Sequence, residues 1–286
     1  MSDTVFNLEN IYFSYTDSNY ALQEINLNVQ ANESLAILGV NGSGKSTLLK
    51  LLDGLIFASK GRFIALGEPV NEEVLNKGEF AATFRTKIAF VFQESDIQLF
   101  CPTVFEDLMF GPLQLGLGKE EAASRANDLL KVFDIAHLKD CSPNKLSGGE
   151  KKKVAIASSL SLNPDIILLD EPTNNLDPKT RVWLYHMLED LAEIGKTIIL
   201  STQDLELAKV FAHRAIIISE EHRIVADGAA EEILDDKELL LKVNLIHEHL
   251  HYHKKVAHSH AHSHSEAHEH KDIWEVHPKQ KELNDE

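Results

Sequence analysis

The run Gly39-Val40-Asn41-Gly42-Ser43-Gly44-Lys45-Ser46 constrains this chain more than any other stretch. A short apolar segment at 34–38 reads as a buried strand before it, and an apolar helical run at 47–55 follows. A glycine-rich turn between strand and helix lets backbone N–H groups converge on phosphate oxygens at the positive end of the helix. Lys45 is expected to neutralise the β- and γ-phosphates, and Ser46 to offer its hydroxyl to Mg²⁺. Gly39, Asn41, Gly42, Ser43, Gly44, Lys45, Ser46 and Thr47 are therefore the expected nucleotide-binding set.

Downstream, the aliphatic run Ile166-Ile167-Leu168-Leu169 ends in Asp170-Glu171. Open α/β sheets bind ligands at the carboxyl ends of their strands, where this acidic pair would sit. Asp170 would hold Mg²⁺ through water, and Glu171 would polarise the attacking water as general base. Loop and acidic pair together predict binding of Mg²⁺–ATP.

Short aliphatic strands at 87–92, 166–169, 197–200 and 215–218 alternate with helical stretches, which implies a mainly parallel sheet covered on both faces. Residues 5–12 and 21–29 alternate in polarity about a turn at Asp17-Ser18-Asn19 and read as an antiparallel hairpin. From about 100 to 162 the period becomes helical, most clearly at 120–133 and 150–162. The expected fold is α/β: a P-loop NTPase core with a mainly parallel sheet, an N-terminal antiparallel β subdomain and a helical subdomain. It would span 1–236, leaving 237–286 for a C-terminal helix, continuing over 239–250, and a tail.

Composition narrows the function. A formal charge of −17 argues against nucleic acid as a principal partner, because phosphate backbones need a basic surface. No window approaches the roughly 20 apolar residues of a membrane span. No signal peptide is evident at 1–8, and Cys101 and Cys141 allow at most one disulfide. The chain reads as cytosolic, reaching a membrane only through a partner.

Between the loop and the acidic pair lies Leu146-Ser147-Gly148-Gly149-Glu150. This order and spacing resemble the signature of the ABC ATPases, which usually has Gln where this chain has Glu150. Ser147 and the Gly148 and Gly149 amides open a helix and so form a second anion site. In the family that site closes over the γ-phosphate held by the opposite subunit, which implies a head-to-tail pair of cassettes, homodimeric or heterodimeric. The resemblance, over residues 4–235, also implies that Tyr15 stacks on adenine. It makes Gln93 the glutamine that touches Mg²⁺ and water and senses the membrane partner. Asp177, in Asn175-Leu176-Asp177, would be the D-loop aspartate that communicates across the dimer. The segment VFQESDIQLFCPTVFEDLMFGP, 91–112, is similar to a pattern of energy-coupling-factor ATPases, especially the cobalt/nickel branch. Asp96, Gln98, Leu99 and Phe100 are its specific part, placed where a coupling helix of the transmembrane subunits should dock.

One position departs from the family. Ser201-Thr202-Gln203-Asp204 carries Gln203 where a histidine is usual. An amide can donate one hydrogen bond and accept another but cannot carry a positive charge. Either hydrolysis is slow with binding intact, or Gln203 suffices because Glu171 is present.

Apart from His137, His186, His213 and His222, the fifteen histidines all lie from His247 to His277. His247, His249, His251 and His253, then His258, His260, His262 and His264, alternate with other residues, and His268 and His270 follow. Alternation brings side chains to one side of an extended segment, and neutral imidazole suits Ni²⁺, Co²⁺, Zn²⁺ or Cu²⁺. The tail has too little apolar content for a core and is expected to be disordered without a ligand. The sequence thus predicts an ATP-hydrolysing subunit, peripheral on the cytoplasmic face of the cell membrane. It would drive import of nickel or cobalt through transmembrane subunits, with the tail buffering metal or giving feedback. The alternatives are an ATP-binding metal sensor or store with slow hydrolysis, and an ABC ATPase for another cargo such as zinc or a vitamin.

Overall fold

A computed structural model describes residues 4–16, 19–253 and 256–263, the side chains of 248–263 excepted. Strands β1 (Thr4–Phe13) and β2 (Leu22–Gln30) precede β3 (Ser34–Leu38) and helix α1 (Lys45–Leu52). Strands β4 (Lys60–Ala65) and β5 (Glu68–Pro69) follow, then helices α2 (Glu72–Asn76) and α3 (Glu79–Lys87) and strand β6 (Ile88–Val91). Three helices come next: α4 (Val104–Gln114), α5 (Lys119–Val132) and α6 (Gly148–Leu160). The chain continues through β7 (Ile166–Asp170), α7 (Pro178–Glu193), β8 (Thr197–Thr202), α8 (Leu205–Phe211), β9 (Arg214–Ile218) and β10 (Ile224–Ala229). Helices α9 (Ala230–Asp235) and α10 (Lys237–Lys242) lead to β11 (Ile246–His253) and β12 (Val256–Ser263).

The large sheet has the order β10-β9-β3-β8-β7-β6 and is parallel except at the β10 edge. The phosphate loop therefore leaves a central strand, with β9 on one side and β8 on the other. Every residue of β3, β7 and β8 is buried, as both-face coverage requires. Alternation assigns the two faces. Ala36, Leu38, Ile167, Leu169, Ile198 and Leu200 pack with Leu108, Leu130 and Val154 of the helical region. Leu35, Ile37, Ile166, Leu168 and Ile199 pack with α1 and with Phe6, Ile25 and Val29 of the smaller sheet. At about 1.5–3 kcal/mol per buried aliphatic side chain, this two-sided burial is the main force flattening the strands between their covers.

The smaller sheet, β2-β1-β4-β5, is antiparallel and includes β4 and β5, strands the periodicity does not reveal. β4 begins Lys60-Gly61-Arg62, all exposed, so its alternation starts only at Phe63. The turn residues Asp17 and Ser18 lie outside the described residues. The C-terminal reading needs correction: α10 stops at Lys242, Asn244 adopts a left-handed φ of 58°, and the chain enters β11 rather than continuing helically to 250. Strands β11 and β12 pair antiparallel, His247 opposite His262 and His251 opposite His258.

Arg214 of β9 ties the two sheets together. Its guanidinium donates to both carboxylate oxygens of Asp227 on β10 at 2.6 and 2.7 Å, to Glu33 Oε1 at 3.0 Å, and to the Asn28 carbonyl of β2 at 2.8 Å. The Asp227 bonds hold its charge more firmly than usual. Arg214→Met should lower unfolding free energy by about 2 kcal/mol, since it leaves partly buried carboxylates unpaired. Lys87→Met, which removes an exposed pair with Asp165, should cost about 0.5 kcal/mol or less. Urea denaturation of both variants checks the contrast.

Candidate active site

The loops leaving the carboxyl ends of β3, β6, β7 and β8 carry residues 39–46, Gln93, Glu171 and Gln203, and the parallel sheet brings them together at one edge. Lys45 heads α1 and is 5% exposed. Its Nζ donates to the Gly39 carbonyl at 2.8 Å and the Val40 carbonyl at 3.2 Å, curling the loop over its own lysine. Gly44 holds φ +113°, and a Cβ there would sit 2.5 Å from the Ala21 carbonyl oxygen, so the loop closes only with glycine.

Ser46 Oγ donates to Asp170 Oδ1 at 2.8 Å, and Ser201 Oγ donates to the same oxygen at 2.6 Å. Ser201 arrives because the β7–β8 register sets it opposite Asp170. Sequence reasoning gave it no role, since the register is not readable from either strand alone. A hydroxyl beside a carboxylate is a hard-oxygen donor set that fits Mg²⁺. Bound there, the ion would offset the charge of phosphate oxygens.

Glu171 follows β7 with a left-handed φ of 42°, a strained conformation for a non-glycine residue, and is buried. Its amide donates to the Ser201 carbonyl at 3.0 Å. Its Oε1 lies 3.2 Å from Lys45 Nζ, and its Oε2 accepts the Gln203 main-chain N–H at 3.3 Å. Burial raises this carboxyl above the usual range, against the pull of the Lys45 ammonium. A carboxylate so placed is suited to accept a proton from water. The Gln203 side chain in turn donates to Asn41 Oδ1 in the phosphate loop.

A cleft of about 330 Å³ is lined by Tyr15, Gly42, Gly44, Lys45, Ser46 and Thr47, with Gln93 and Glu171 at its edge. Tyr15 is 59% exposed, 3.3 Å through its hydroxyl from Thr47 Oγ1, and edge-on to Phe13. Its ring stands at the mouth of the cleft.

The signature residues lie elsewhere. Ser147 caps α6: Glu150 Oε2 accepts its N–H at 2.8 Å and its hydroxyl at 2.7 Å. Those bonds keep the Glu150 carboxyl below its ordinary range. Asp177 caps α7, accepting the Thr180 N–H at 3.0 Å and hydroxyl at 2.6 Å. Gly149 packs so tightly on this turn that a Cβ would lie 2.8 Å from Thr180 Oγ1. Ser147, Gly149, Glu150 and Asp177 line a cleft of about 460 Å³ that shares no residue with the one around Lys45. The structure thus gathers Tyr15, 39–47, Gln93, Asp170, Glu171 and Gln203; Ser147, Gly149 and Asp177 line the other cleft, and Gly148 lines a third cleft that also includes Gln93.

A family model for the ABC transporter matches residues 22–174. The chain belongs to the ABC transporter family. Over 251 residues it is 51% identical to an ABC transporter ATP-binding protein of Methanosarcina acetivorans, covering 87% of this chain and 91% of that one. It is 41% identical over 244 residues to the nickel import ATP-binding protein of Rhodobacter capsulatus, covering 84% and 95%. Among solved structures, cbiO1 from Clostridium perfringens, part of the cbiONQ transporter complex, superposes with a TM-score of 0.72 at 35% identity, covering 85% and 95%. The dimeric cassette MJ0796, bound to ADP and Pi, superposes at 0.69 and 30% identity, covering 79% and 98%. The chain is accordingly an ABC ATPase that couples ATP hydrolysis to transport, and the ABC ATPases of the related importers dimerise and partner with transmembrane subunits.

Among the described residues no helix is long and apolar enough to cross a membrane, and no group of three or more His, Cys, Asp or Glu is placed to hold a metal. His264, His268 and His270 lie outside the described residues, and beyond His247 the tail is described by its backbone alone.

Glu171→Gln keeps the shape of the site and removes the carboxylate that is placed to accept a proton. Single-turnover hydrolysis should fall about 10²–10⁴-fold with ATP affinity retained; rapid-quench assays beside equilibrium binding check both halves.

Proposed function

We propose that this chain is the motor of an importer for a divalent transition metal, nickel or cobalt, held peripherally on the cytoplasmic face of the membrane. The separation of the two clefts carries the mechanism. A cassette whose signature shares no residue with its own nucleotide cleft completes an ATP site only by meeting a second cassette head to tail. In that pair Tyr15 would stack on adenine, the 39–47 loop would hold the phosphates, and Ser46, Asp170 and Gln93 would face Mg²⁺. Glu171 would act as base, and Ser147, Gly148, Gly149 and Asp177 would close over the partner's nucleotide. The ABC domain, on this reading, is 1–236.

The surface beside Gln93 supports docking of transmembrane subunits. Ile97 and Phe100 are each 64% exposed, and Phe100 stacks edge-on against exposed Phe110 at 4.8 Å. Apolar rings held in water this way suit a partner helix. The cargo assignment is supported by the 91–112 pattern, by the nickel-import relative and by the tail. The β11–β12 register pairs His247 with His262, His249 with His260 and His251 with His258. Residues paired directly across an antiparallel ladder share a face, so six histidine positions fall on one side of this hairpin. Such a row suits Ni²⁺, Co²⁺ or Zn²⁺.

The Gln203 side chain reaches Asn41, and its main-chain N–H reaches Glu171, but it brings no charge to the γ-phosphate, which fits slow turnover with intact binding. Gln203→His should raise kcat about ten- to a hundredfold; an unchanged rate ends the slow-site reading. Radiolabelled nickel and cobalt uptake tests the whole function. Cells carrying the intact chain should accumulate metal, Glu171→Gln should abolish accumulation, and removal of 247–286 should alter its set point without abolishing it. Loss of uptake on truncation alone, or uptake of a non-metal cargo only, overturns the assignment.

A further inference from the structure

Three lysines follow Glu150 on α6, and their environments differ. Lys151 and Lys153 are partly exposed, whereas Lys152 is 3% exposed. Its ammonium donates to the Gln93 carbonyl at 2.8 Å and to the Phe92 carbonyl at 3.2 Å. Burial lowers its pKa to about 8, and nearby Asp170 opposes that shift. Placing a cation in such an interior is costly unless specific acceptors hold it. Here both acceptors are main-chain carbonyls where the chain leaves β6.

Two further contacts run beside this one. Gln98 Nε2 donates to the Ala155 carbonyl at 2.9 Å and to Ser159 Oγ at 2.7 Å, while its Oε1 accepts the Phe92 N–H at 3.2 Å. On the surface, Lys151 Nζ donates to Asp96 Oδ1 at 2.5 Å. Helix α6 is thus fastened on successive turns, at Lys152, Ala155 and Ser159, to the segment from Phe92 to Gln98.

We propose that Lys152 is a positioning residue that joins the Gln93 loop to the signature end of α6 as one rigid unit, and so couples the two nucleotide sites of the dimer. Gln93 lines the chain's own nucleotide cleft. Ser147, at the cap of the helix that carries Lys152, lines the other cleft, which in a head-to-tail pair meets the partner's nucleotide. A displacement of Gln93 against one nucleotide is therefore carried along α6 to the second. Lys152 reaches neither ligand; its effect passes through the two carbonyls it holds.

Steady-state hydrolysis by the full chain across a range of ATP concentrations tests this, with Lys152→Met and Lys152→Gln. Met matches the length and bulk of the lysine without a donor, and Gln keeps two N–H donors without the charge. Lys152→Met should lower kcat at least about tenfold while KM for ATP moves less than about threefold, the split expected of a positioning role. Its Hill coefficient should fall below that of the native chain, and Lys152→Gln should regain most of the lost turnover. Native-like kcat and cooperativity in Lys152→Met overturn the proposal, as does a native chain that shows no cooperativity. Failure of Lys152→Gln to regain turnover overturns it as well, because charge or packing, rather than two donated hydrogen bonds, would then be what α6 requires.

Discussion

Lys45 and Glu171 lie 3.2 Å apart, each almost fully buried, one at the head of α1 and the other just past β7. Neither charge would be tolerated alone in such an interior, where an unpaired ion costs several kcal/mol. Their pairing is what lets an ammonium at the phosphate loop and a carboxylate suited to accept a proton lie buried side by side. It also links binding to chemistry. Phosphate oxygens entering the loop meet the same ammonium that Glu171 holds, so the carboxylate shares its counter-charge once nucleotide arrives.

The sheet exists, in functional terms, to bring those two residues together. Asp170 accepts hydroxyls from Ser46 and Ser201, one from the helix after β3 and one from β8. Three neighbouring strands thus meet at a single carboxylate oxygen. Arg214 performs the matching task at the far edge, holding β9 and β10 to the smaller sheet that supplies Tyr15. A shift in either place would move the phosphate loop relative to the acidic pair.

Local chemistry made much of this legible before any coordinates. The 39–46 loop, the Asp170-Glu171 strand end and the Ser147 cap each depend on neighbours a few residues away, so composition and spacing reveal them. What escaped depends on distant partners. Lys152 sits in a run of three lysines that reads as a solvated helix face, and only the packing of α6 on β6 shows one of them turned inward. Ser201 gains its role from a strand register. The β4–β5 pair is hidden by exposed residues at the start of β4, and the sequence overextends α10 because Leu245 and Leu250 continue the apolar spacing of Leu241 past a left-handed Asn244.

The charge balance of the cleft explains why Gln203 matters. Lys45 lies 3.2 Å from Glu171, and Arg181, at the edge of the adjoining cleft, is within 3.7 Å of Asp204. With glutamine at the switch position, these lining groups carry no surplus positive charge to meet a triphosphate. Nucleotide must then arrive with its own cation, which the Ser46–Asp170 oxygen pair is built to accept, and the backbone amides of the loop must do the rest. Such a site can bind Mg²⁺–ATP well, because amides and ion act on the ground state. It lacks one charge that would grow in importance as negative charge shifts in the transition state. On the proposed reading, the Gln203 side chain, bonded to Asn41, would keep the geometry of the switch while giving up part of its electrostatics, and its main-chain N–H holds Glu171.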